Sequence, residues 1–136
     1  MKLTEARDYL AGIIAGDFGW FGLAKADGTM ERALCLYRRR KAAGGGGAVG
    51  GAEGYGVLPL TLLIRAGLNG SEADDLAQSV VDSLPDGPVN VAGAKAFISR
   101  RQRQPNALGT DKRGVYEFSA DFDLYYERGI ADGISG

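Results

Sequence analysis

The chain has no histidine and only one cysteine, Cys35, among its 136 residues. Without histidine, the commonest general base and the commonest metal ligand are both missing. That excludes imidazole triads, Cys–His nucleophiles and His-based zinc sites. A lone cysteine closes no internal disulfide, so the fold must stand on its hydrophobic core, and a reducing compartment is the default. Net charge is nearly absent too: the formal value is -1, which gives no general attraction to nucleic acid or to an anionic membrane surface. Nor is there an apolar run approaching the roughly 20 residues that span a bilayer. The N-terminus, Met1-Lys2-Leu3-Thr4-Glu5, enters an amphipathic pattern with acids inside it and lacks the apolar stretch of a secretory signal. These absences together predict a soluble, cytoplasmic protein with no membrane partner, no cofactor and no metal.

What is present is ordinary globular composition, 45% hydrophobic and 24% charged, in a length that suits one domain. The reading is a single domain over residues 1–128 and a loose tail over 129–136. Glycine is the excess, with 22 residues, concentrated in a glycine-rich loop over 42–56. A phosphate loop would run into a helix through Gly-Lys-Ser or Gly-Lys-Thr. This one runs into Val57-Leu58-Pro59-Leu60, which reads as a strand, so the cluster is expected to be a connector between paired strands.

Helical spacing of Ala6, Leu10, Ile13 and Ile14 predicts a helix over 4–16 with Thr4 as its cap. An aromatic connector follows over 17–31. Strands are predicted over 32–39 and 57–66. A second helix over 72–84 is capped by Ser71, carries acids in its first turn, and is stopped by Pro85-Asp86-Gly87-Pro88. A third strand is predicted over 91–101, a polar loop over 102–114, and a long strand over 115–127. In that last strand Tyr116, Phe118, Ala120, Phe122, Leu124 and Tyr126 alternate with Glu117, Asp121, Asp123 and Glu127. The expected fold is a two-layer α+β sandwich, with two helices on one face of a roughly four-stranded, largely antiparallel sheet in the order α-β-β-α-β-β.

Three constellations are candidates for function, and none is a catalytic site. Arg38, Arg39, Arg40 and Lys41 end the first strand, and Arg100, Arg101 and Arg103 end the third. If adjacent, these make a positive patch for phosphates or an acidic partner. The plainer reading is a charged strand edge that discourages unwanted pairing. Glu117, Asp121 and Asp123 line one face of the last strand. Paired carboxylates do acid–base work or hold metals, but a regular strand face offers no desolvated cleft, which favours a solvated or interfacial role. Acidic and basic surfaces on one chain suit head-to-tail packing of copies. Cys35 reads as a small core residue. Phe97 and Tyr125 are the only candidates for base-stacking aromatics on the sheet, as a small RNA- or single-stranded-DNA-binding α+β module would need.

One segment goes beyond generic patterning. From Phe97 to Phe122 the chain contains Pro105, Leu108, Gly109, Asp111 and Gly114, followed by the alternating strand that ends in Tyr126 and Arg128. This resembles the closing hairpin of phage minor-capsid proteins of the tail-terminator family, in which a Gln-x-Pro-x-x-Leu-Gly-x-Asp loop joins two strands. Arg103 departs from that pattern at the glutamine position, with Gln102 and Gln104 flanking it, and the stretch 38–51 departs as well. The resemblance implies a structural protein of the virion, made in the host cytoplasm, with no enzymatic activity. It implies a ring of copies of the chain, often a hexamer, that caps the tail tube and joins the head connector. DNA would pass through the lumen only transiently. The expected interfaces are the polar face of the last strand, the glycine loop and the loop bearing Pro105, Leu108 and Asp111.

Overall fold

The computed structural model describes residues 1–14, 16, 18–24, 30–39 and 55–127. These form α1 (Leu3–Ile13), β1 (Phe21–Gly22), β2 (Arg32–Arg38), β3 (Tyr55–Ala66), α2 (Gly70–Ser83), β4 (Gly87–Val91), β5 (Ala94–Arg100), β6 (Asn106–Thr110) and β7 (Tyr116–Glu127). The expectations about Arg40, Lys41, the glycine loop before Tyr55, Arg128 and the tail 129–136 lie outside the described residues.

Two twelve-residue strands, β3 and β7, are the spine of the sheet. They pair antiparallel from Tyr55 opposite Glu127 to Arg65 opposite Glu117. Because side chains alternate along a strand, this register puts Leu58, Leu60, Leu62 and Ile64 on the same face as Phe118, Phe122 and Leu124. All seven are buried. β2 extends that face with Leu34 opposite Ile64 and Leu36 opposite Leu62, and β5 adds Ile98 opposite Leu124. Ala6 and Leu10 of α1 and Ala73, Ala77 and Val80 of α2 belong to the same cluster. Full burial of each large aliphatic or aromatic side chain contributes about 1.5–3 kcal/mol, so this face drives the fold. Both helices start earlier than their spacing suggests. The Asn69 side chain accepts the Glu72 amide at 3.1 Å and caps α2, leaving Ser71 inside the helix. Glu5 accepts the Lys2 amide at 2.7 Å across the first turn of α1, leaving Thr4 inside as well.

The four-stranded α-β-β-α-β-β sandwich does not form. The sheet has seven strands in the order β1-β2-β3-β7-β5-β4, with β6 also paired to β7. It is mixed, because β1 runs parallel to β2 while the other pairs are antiparallel. The three additional strands carry no alternating apolar run to announce them. β1 is two residues long, inside the aromatic connector. β4 contains Pro88 from the helix-stopping segment. It pairs only with β5, so a residue without an amide is tolerable there. The predicted strand over 91–101 is in fact the second arm of a hairpin. Its turn, Ala92-Gly93, has φ of 52° and 81°, the positive values a two-residue type I′ connection requires. β6 lies within the expected polar loop, and all five of its residues are exposed. Among the described residues no helix is long and apolar enough to cross a membrane.

Candidate functional site

The distinctive part of the molecule is its closing hairpin. β5 and β6 lie end to end along one edge of β7, β5 against Phe122–Tyr126 and β6 against Tyr116–Ser119. Residues 101–105 interrupt what would otherwise be one strand. The break leaves no orphaned main-chain groups at Asp121. Its carbonyl accepts the Arg101 amide at 3.1 Å, and its amide donates to the Gln102 side-chain oxygen at 3.2 Å. Gln102 also donates to the Gln104 carbonyl at 2.6 Å, so one side chain splints the gap where strand backbone is absent. Further on, the pairing register shifts between Ala107 and Gly109. Leu108 is the extra residue of this bulge and is left 54% exposed. Gly109 takes φ of 96°, a conformation that a side chain disfavours.

Asp111 builds the turn into β7. Its Oδ1 accepts the Arg113 amide at 2.8 Å and the Val115 amide at 3.0 Å, while its own amide donates to the Val115 carbonyl at 3.0 Å. The Val115 amide, then the Arg65 guanidinium and the Arg113 amide, hold the Asp111 carboxyl below the ordinary aspartate value, against an opposing desolvation effect. Arg65 joins the turn to the sheet. It is 3% exposed and donates to Asp111 at 2.9 Å, to Glu117 at 2.8 Å and to the Met30 carbonyl at 2.8 Å.

A second cluster occupies the middle of the same sheet face. Arg39 donates to Asp123 at 2.6 Å and to the Leu60 and Phe122 carbonyls, and lies 3.6 Å from Asp121. Arg101 meets the other oxygen of Asp123 at 2.9 Å, and Thr61 donates its hydroxyl to Asp121 at 2.6 Å. The acids of β7 are therefore engaged inside the chain, by the same basic strand ends that seemed suited to a neighbour. Asp123 is 7% exposed. Among the described residues no three His, Cys, Asp or Glu side chains are grouped to hold a metal.

Comparison with protein-family models, with curated proteins and with solved structures finds no match for the chain. The chain's own geometry is what speaks to function.

The remaining expected residues scatter. Arg38 is exposed at the end of β2. Arg100 leaves the basic group altogether and donates to the Val81 carbonyl at 3.1 Å. There it supplies positive charge to the last turn of α2, which has no base of its own. Arg103 is exposed, and its carbonyl accepts from Gln78 at 3.0 Å. Pro105 is half-buried at the end of the gap, and β6 begins with the next residue. Arg65, Thr61 and Gln102 were not singled out from the sequence. The signal for Arg65 was available, as a charge that follows the apolar run Leu62-Leu63-Ile64. Nothing in the sequence marks Gln102 as a splint.

One apolar feature remains uncovered. The registers align Val57, Tyr125, Phe97 and Pro88 in a row across β3, β7, β5 and β4, on the face away from the core. Phe97 is 45% and Tyr125 39% exposed. A groove lined by Lys95, Ala96, Phe97, Tyr125, Tyr126 and Glu127 lies at this end of the sheet.

Proposed function

We propose that this chain is a structural protein of a phage or prophage tail that assembles with copies of itself into a closed ring, six-membered in the usual case. In this reading the ring sits on the end of the tail tube, stops its growth and offers a surface to the head connector. DNA passes through the lumen without a fixed site. The protein gathers in the host cytoplasm and ends in the virion, and no catalytic residue is needed.

The observation that carries the reading is the closing hairpin. The residues that resemble the tail-terminator pattern are the ones with a geometric task there: Leu108 and Gly109 make the bulge, and Asp111 and Gly114 make the turn. The neutralised β7 face supports the same view, because its carboxylates are occupied by guanidinium and hydroxyl donors and are not gathered around an open cleft.

The test is polymerisation of the tube protein of the same phage, with and without this chain, followed by electron microscopy. Tubes of limited length carrying a ring at one end are expected. Tubes that grow unchanged, with no chain at their ends, would refute the proposal. A second reading, a module for RNA or single-stranded DNA, is favoured only by the exposed neighbours Phe97 and Tyr125. Anisotropy of a labelled oligonucleotide at two salt concentrations tests it, with salt-dependent saturable binding as its signature.

A further inference from the structure

We infer that neighbouring subunits join head to tail, with Leu108 of one copy seated in the Phe97–Tyr125 groove of the next. This rests on the self-assembly reading above and names the surfaces it would use. Head-to-tail association needs two different, complementary patches on one chain. The described residues present both. Leu108 projects from the bulge of β6, in a stretch, Asn106-Ala107-Leu108-Gly109-Thr110, that carries no charge and is exposed throughout. An edge strand ordinarily guards itself with charge, and this one does not. The groove has apolar walls from Phe97 and Tyr125 and a polar rim from Lys95 and Glu127.

The two patches sit at opposite ends of β7. Leu108 lies beside the Glu117–Phe118 end and the groove beside Tyr125–Glu127, about 25 Å apart at the rise of a strand. A patch at one end that fits a groove at the other cannot satisfy itself within one subunit, and it repeats from copy to copy until the chain of contacts closes. The charges agree in sign: exposed Lys112 follows Leu108 at the hairpin tip, and exposed Glu127 borders the groove. That pair orients the encounter more than it strengthens it. The acids and bases of the central face take no part, because they are already paired within the chain. One leucine in one groove is far smaller than the interface of a stable dimer. Each single contact is therefore weak, and ring closure, which gives every subunit two contacts, supplies the stability.

Sedimentation velocity over a concentration series tests this with wild type, Leu108→Asp and Phe97→Lys. Both substituted positions are exposed, so unchanged circular dichroism and melting are expected. Leu108→Ala and Tyr125→Ser repeat the measurement should either variant misfold. Each variant alone should require at least tenfold more protein to assemble. Mixed in equal amounts, they should form a one-to-one dimer and nothing larger, since one retains the groove and the other the leucine. Rings that persist in either variant would overturn this contact while leaving self-assembly intact. A wild-type chain that is monomeric up to millimolar concentration would also overturn the contact, with the tube assay then deciding the wider reading separately. Oligonucleotide binding lost in Phe97→Lys, without any dimer in the mixture, would reassign the groove to bases.

Discussion

Replacing Arg65 with methionine is the most demanding test of how the hairpin is held. The side chain is 3% exposed and makes three hydrogen bonds, two of them to carboxylates. Removing one partner of a buried ion pair costs about 3–5 kcal/mol, because the remaining charge is left without compensation. Glu117 and Asp111 are 16% and 21% exposed at their side chains. Water reaches them in part, which points to the low end, about 3 kcal/mol. For a domain of this size that corresponds to a fall of about 10–15 °C in melting temperature. Urea unfolding followed by the fluorescence of the single tryptophan, Trp20, measures the loss directly, in a concentration range where assembly does not change the midpoint. A further replacement, Glu117→Met in the Arg65→Met background, should recover at least about 1 kcal/mol, since an apolar pair replaces an orphaned acid. A single-variant loss under about 1 kcal/mol, below the cost of one orphaned buried partner, or a double variant no better than the single, would refute the assigned role of Arg65.

Three further outcomes follow from the geometry. Ala92→Asn should stabilise the fold by about 0.5–1 kcal/mol in urea unfolding, because asparagine accepts the positive φ of this turn position more readily than alanine. Burial raises the Cys35 thiol above its ordinary value. With Cys35 5% exposed, a disulfide reagent should react at least about a hundredfold more slowly with the folded chain than with the unfolded one, because access requires opening. Asp111 has a lowered folded value, so its carboxylate contributes stability at pH above the ordinary aspartate value, and that contribution disappears as the pH falls through the folded one. The wild type should therefore lose stability on acidification below about pH 4 more steeply than Asp111→Asn, as an acid titration of the melting temperature would record.

The parts of the fold that were legible in the sequence are those where one side chain in two meets the core. β3 and β7 announce themselves by alternation over long runs, and α2 by its unbroken apolar spacing. β1, β4 and β6 do not, because their place is set by a partner strand and not by a face of their own. Pro88, which argues against a strand interior, is accommodated at an edge. The charged residues were legible as a group but not in their pairing. Asp121, Asp123, Arg39 and Arg101 each read as surface charge, and it is the register of β3 on β7 that brings them together with Thr61. The Leu-Gly-x-Asp segment was readable as a connection. Its division into splint, bulge and turn depends on Gln102 reaching a main-chain group nineteen positions away, which no local pattern encodes.

Having β5 and β6 laid end to end makes β7 the one strand with a neighbour on both sides along nearly its whole length. Its amides can meet solvent only when the sheet comes apart entirely, whereas β6 and β4 can peel from the margins while the centre stays shut. Deuterium uptake should therefore be slowest in β7 and fastest at the margins. A subunit joining by its outer strands could loosen them and reform the contact without risking the rest of the molecule.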